Sequence, residues 1–108
     1  MLEHVFHFQR TDQQVVEKVV NCPERLLIAH GILPPGQATP RHATDADVHL
    51  IVTRGTLAIQ LGNQDPHTYE TGTIVAVPFG TLMEVRSAGS ETLEFFAVKA
   101  PHPDAWPI

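Results

Sequence analysis

The chain has 108 residues, of which 43% are hydrophobic and 6% aromatic, and its net charge is −5. That length and apolar content fit one compact domain with an aliphatic core and exclude an intrinsically disordered chain. The acidic balance, with basic residues scattered, excludes nucleic acid and an anionic membrane surface as partners.

In chain order, residues 1–24 read as an N-terminal strand or arm. No basic region followed by an apolar run marks a secretory signal there. Val15–Val20 is expected to be a strand, with a single helical turn as the alternative. The single cysteine, Cys22, excludes an internal disulfide and fits a reducing compartment. No apolar stretch approaches membrane-spanning length, so a cytoplasmic protein is expected.

Turn signals then recur at short spacing: Asn21-Cys22-Pro23, Pro34-Pro35-Gly36, Gly62 to Pro66, Pro78-Phe79-Gly80 and Ala88-Gly89-Ser90. Between them lie predicted strands at Arg25–Leu33, Val48–Thr53, Thr56–Leu61, Thr73–Val77, Leu82–Arg86 and Thr92–Lys99. Short strands with this punctuation predict an all-β sandwich or barrel. In Thr56–Leu61, apolar Leu57, Ile59 and Leu61 alternate with Thr56, Ala58 and Gln60, which gives one core face and one solvent face. Val48–Val52 and Thr73–Val77 are apolar on both faces. Such strands need cover on the second face, from another protomer or a terminal segment. The proline-rich tail, residues 100–108, is expected to be extended. Its Trp106 either packs on the barrel or across a subunit contact, or belongs to a frayed end.

Two spacings stand out. Gly36 is followed after five residues by His42, and Val48 after six residues by Gly55. Gly72 is followed after five residues by Pro78-Phe79-Gly80, and Gly80 after two residues by Met83. The glycines suit turns, and the prolines stiffen strand ends. In order and separation, these spacings resemble the two motifs of the cupin superfamily, over roughly Leu26 to Pro101. The resemblance implies one small double-stranded β-helix, or jelly-roll, barrel spanning residues 1–108. Because small cupins commonly dimerise, it also implies a homodimer.

The resemblance further implies a divalent metal held by His, His, Glu and His. Here those positions read His42, Thr44, Val48 and Met83. Neutral Thr is a poor ligand, Val cannot bind, and the Met thioether is soft and weak toward zinc, iron or manganese. The usual metal site is therefore expected to be absent, and no cofactor is expected. A shifted site is the alternative. Asp47 and His49 share a strand face, and a bulge before them would turn that face inward. His42, Asp47 and His49 would then offer two imidazoles and a carboxylate, the facial-triad set.

Three functions follow from the preserved scaffold. The first is a metal-independent small-molecule binding or sensing module, with a ligand pocket lined by His42, Thr44, Val48, Leu50, Met83 and Val85. The second is an enzyme: a metal-dependent oxygenase or isomerase using His42, Asp47 and His49, or a metal-free isomerase or cyclase using His42 near Asp45 as acid/base. The third is a structural or regulatory dimeric subunit. His42 thus reads either as a polar group at the pocket mouth or as an imidazole bonded to water or Thr44.

The remaining candidates have structural readings. Met83 is expected to fill the volume of a metal and its water, or to wall a ligand pocket. His4, His7, His30, His67 and His102 read as solvent or packing residues, and Glu84 with Arg86 as a surface ion pair. No lowering partner is visible for the Cys22 thiol. No Ser-His-Asp arrangement, phosphate-binding glycine loop or CxxC pair is present.

Overall fold

The computed structural model describes residues 2–106. Its strands follow the apolar segments between the turn signals. They are β1 (Val15–Cys22), β2 (Leu26–Leu33), β3 (His42–Ala43), β4 (Val48–Arg54), β5 (Thr56–Leu61), β6 (His67–Glu70), β7 (Ile74–Val77), β8 (Leu82–Ser87) and β9 (Leu93–Lys99). All pair antiparallel, in one sheet of order β1-β2-β9-β4-β7 and a second of order β3-β8-β5-β6. Sequence neighbours β4 and β5 lie in different sheets, the crossing between layers that makes a double-stranded β-helix.

The all-β expectation holds, and the boundaries of the predicted strands shift by a residue or two. Val15–Val20 is a strand and not a helical turn. It carries an irregularity between Lys18 and Val20, where its register against β2 slips. Strands β3 and β6 were not expected. Both are short and mostly exposed, so neither carries an apolar stripe to announce it.

The core lies between the sheets. It contains Leu33, Val48, Leu50, Val52, Leu57, Ile59, Val77, Met83, Val85, Leu93, Phe95 and Ala97. Removing one such large aliphatic side chain from water contributes about 1.5–3 kcal/mol. The alternation predicted for β5 is present: Leu57 and Ile59 are buried, and Leu61 is half-buried against the core. Gly55 closes the β4–β5 corner at φ 75°, and a Cβ there would stand 2.5 Å from the Thr92 carbonyl oxygen. Only glycine fits both constraints.

Register fixes which residues share a face of the larger sheet. One row on its inner face is Leu27, Lys99, Val48 and Val77, and the next is Ala29, Ala97, Leu50 and Val75. One row on its outer face is Ile28, Val98, His49 and Ala76, and the next is His30, Phe96, Ile51 and Ile74. The strands expected to be apolar on both faces thus contribute Ile51 and Ile74 outward. The N-terminal arm covers part of that face through Phe8, whose ring lies 4.8 Å from His30 and 4.9 Å from Phe96. It leaves Ile74 62% exposed.

The tail packs on the barrel. Pro103–Ala105 forms a single 3-10 turn, and Trp106 stacks on Phe79 at 4.9 Å with the rings 8° from parallel. The indole N–H donates to the Pro101 carbonyl at 3.1 Å. His102 is buried; its Nδ1 accepts from the Asp104 N–H, so Nε2 donates to Asn21 Oδ1 at 2.7 Å. These contacts decide for Trp106 against a frayed end. The last two residues of the tail lie outside the described part.

Candidate functional site

The inner face is not fully filled. Ala29 and Ala97 stand side by side across β2 and β9, next to Leu50 on β4. Two methyl groups cannot span the gap to the opposite sheet, where Met83 and Val85 project from β8. The result is a cavity of about 130 Å³. Phe95 closes one side by lying over Gly31, where a Cβ would come within 2.5 Å of the ring. All six residues expected to line a pocket, His42, Thr44, Val48, Leu50, Met83 and Val85, line this cavity. Met83 is a wall and does not plug the interior.

The wall's polar groups divide by hydrogen bonding. Thr44 Oγ1 donates to the Pro78 carbonyl at 2.8 Å and accepts from the Thr81 N–H at 2.9 Å. Its own N–H donates to the Thr81 carbonyl, and its carbonyl accepts from the Gly80 N–H, each at 2.9 Å. Thr44 therefore clamps the β7–β8 turn. Thr39 Oγ1 is bound in the same way to the backbone of Val85.

His42 and Lys99 differ. His42 is exposed, and its Nδ1 lies 2.9 Å from the Pro40 carbonyl oxygen. A carbonyl only accepts, so Nδ1 carries the proton and a neutral ring keeps its lone pair on Nε2. The expected partner, Thr44, does not bind it. Lys99 ends the inward series Leu93, Phe95, Ala97, and its ammonium meets Asp45 Oδ1 at 2.8 Å. Both residues of this pair line the cavity.

The sequence reading missed Lys99, Ala29, Ala97 and Phe95 as lining residues. The signal for Lys99 and Phe95 was available, because alternation along β9 from Leu93 places both inward. The signal for the alanines was not, because it needs the β2–β9 register.

The shifted metal set fails. Val48 is the residue that points inward, 2% exposed. His49 lies on the outer row with Val98 and Ala76 and is exposed. Asp47 Oδ1 accepts from the Phe79 N–H at 2.8 Å. The register slip in the β4–β9 pairing falls between Val52 and Arg54, at the far end of β4, and so cannot exchange this face. Asp47 and His49 do not join His42 in the cavity. Among the described residues, no three His, Cys, Asp or Glu side chains are grouped to hold a metal ion. The residues at the usual cupin ligand positions do not fit a divalent metal either: Thr44 is saturated by backbone, and Val48 and Met83 offer no hard donor.

A second titratable cluster sits on the outer face. His30 is fully buried, with Nδ1 2.7 Å from Glu17 Oε2 and Nε2 2.8 Å from Glu94 Oε2. Its ring stacks on Phe96 at 4.7 Å. The Gln9 backbone N–H first, and then the His30 ring, hold the Glu17 carboxyl below the usual carboxylate value. Burial pushes Glu94 up, but hydrogen bonds from His30 and Thr53 and the charge of Arg54 outweigh it and lower its pKa. The packing reading of His30 holds. Glu84 and Arg86 form the expected weak pair, at 3.6 Å. Among the described residues, no helix is long and apolar enough to cross a membrane.

Comparison with known proteins agrees with this architecture. An uncharacterized protein of Methanocaldococcus jannaschii is 45% identical over 104 residues, covering 95% of this chain and 89% of that one. A crystal structure from the same organism, described as an RmlC-like cupin family protein with a double-stranded β-helix fold, superposes with a TM-score of 0.91. Its identity is also 45%, over 95% of this chain and 94% of that one. A double-stranded β-helix domain from Klebsiella pneumoniae, at 19% identity, shares the fold with a TM-score of 0.74 over 87% of this chain and 82% of that one. The sequence profile of the cupin domain matches residues 29–99. With its strands, turns and two motif spacings, the chain belongs to the cupin family.

Proposed function

We propose that this cupin is a metal-independent small-molecule binding or sensing module whose ligand sits in the inner-face cavity. One observation carries the reading: an apolar cavity of about 130 Å³ between the sheets, partly open to solvent near His42 and Asp45. An apolar cavity of ~150 Å³ binds benzene. Small-ligand sites combine apolar walls with a few placed polar groups. Here His42 and the Lys99–Asp45 pair supply those groups. The His42 Nε2 lone pair would accept a hydrogen bond from a bound ligand, and the same fixed tautomer would serve a metal-free acid/base step.

The test is to fill the space. Ala97→Leu should leave the fold intact by circular dichroism and abolish uptake of small apolar probes, read by xenon pressure or by chemical-shift change. Equal probe uptake in wild type and variant would sink this reading.

The chain is also proposed to form a homodimer through the outer face of the larger sheet. Ile74, 62% exposed beside half-buried Ile51 and Phe96, favours this. Light scattering after size exclusion at micromolar concentration should give twice the 11.9 kDa chain mass. A clean monomer would contradict it.

A further inference from the structure

We infer that the cavity selects a small carboxylic acid. The apolar body would lie between Ala29, Ala97, Leu50 and Phe95, and the carboxylate would replace Asp45 on the Lys99 ammonium. This rests on reading the cavity as a ligand pocket.

The placement of Lys99 is the main argument. On β9 the inward positions run Leu93, Phe95, Ala97, Lys99, so the ammonium sits where an apolar residue would continue the pattern. Its neighbours in the inner row are Leu27 and Val48, both buried and apolar. The side chain is only 22% exposed, which draws its four-carbon stem along the cavity wall and leaves the charge at the mouth. A lysine so placed needs an anion, because a charge leaving water must be paired.

In this structure the anion is the Asp45 carboxylate, at 2.8 Å. Asp45 lies in the loop between β3 and β4 and is itself 58% exposed, so it returns to water at little cost. Its carboxylate is chemically what an acid ligand would present. Asp45 therefore acts as an internal competitor. It neutralises Lys99 in the free protein and yields to a ligand whose apolar body also fills the cavity. The volume limits that body to about the size of benzene, or a branched chain of about five carbons. An amine would have to pair with Asp45 and leave Lys99 beside it uncompensated, so the charge arrangement disfavours one.

The test compares three probes of one skeleton: 3-methylbutanoate, 3-methylbutanamide and 3-methylbutylamine. Each is titrated into the wild-type protein and followed by amide chemical shifts, alongside xenon as a headgroup-free probe. The acid should bind about tenfold tighter than the amide, as expected for a hydrogen bond to a charged group. Its advantage should shrink as salt is added. Asp45→Asn should tighten acid binding several-fold. Lys99→Gln should erase the preference for acid over amide while xenon uptake persists.

Equal affinity for acid and amide, or tightest binding of the amine, would overturn the headgroup assignment and leave the cavity reading standing. No binding of any probe, xenon included, would overturn both. The wild-type comparison needs no variant, so a variant that fails to fold does not spoil the test.

Discussion

The two faces of the larger sheet treat polar groups in opposite ways. On the outer face, His30 has no exposure and both ring nitrogens have carboxylate partners, with Phe8 and Phe96 packed on the ring. On the inner face, a cavity stays open, with His42 Nε2 unused and a Lys99–Asp45 ion pair at its lining. The outer cluster sets two carboxylates on one buried imidazole and looks more like chemistry. Yet His30 itself is saturated, because both ring nitrogens are already bonded to carboxylates. The inner face combines an apolar cavity with a polar group, His42 Nε2, whose lone pair is not used inside the protein.

Four measurements sharpen or break this contrast. The largest effect should come from His30→Leu, which leaves Glu17 and Glu94 without their shared donor. It should cost about 3 kcal/mol of unfolding free energy. The exposed His42→Leu should cost less than ~0.5 kcal/mol in the same urea titration. Comparable losses at the two histidines would erase the distinction between saturated and open faces.

Acid comes next. Glu17 and Glu94 both have folded pKa values below the ordinary 4.5. A carboxyl lowered on folding contributes stability that is fully present above about 4.5 and lost as pH falls through its folded value. Thermal melts from neutral pH to about 3 should therefore show falling stability, and Glu17→Gln should flatten the slope. A wild-type curve with no decline in that window would remove the outer cluster from the account.

Ala97→Leu should change stability by no more than ~1 kcal/mol, because it adds carbons to vacant volume. A loss of several kcal/mol would mean that the side chain had been forced into filled space. The smallest effect belongs to Glu84→Gln. Breaking that 3.6 Å surface pair with Arg86 should cost less than ~0.5 kcal/mol.

The sequence carried much of this. Alternation in β5 and the turn signals set seven of the nine described strands, and the spacings from Gly36 to His42 and from Gly72 to Gly80 set the family. The same spacings placed His42, Thr44, Val48 and Met83 together, because the family barrel brings its two motifs to the space between its sheets. Local sequence could not distinguish the orientation of Val48 from that of Asp47 and His49, because one bulge exchanges the two faces. The unbroken pairing of Val48 to Val52 against β9, with Val48 buried, decides it. His30 was legible only as a solvent or packing residue. Its partners are 13 and 64 positions away, and no local pattern links them.

Composition, period-two alternation and turn chemistry are short-range properties, and they determined the all-β class and most of the strands. The tertiary structure alone decided that Ala29 and Ala97 meet across two strands and leave a cavity. It also decided that Lys99 reaches the mouth of that cavity and finds Asp45 there. The reason is physical: vacant volume and charge pairing depend on which residues face one another across strands, and that register is set only when the whole barrel closes.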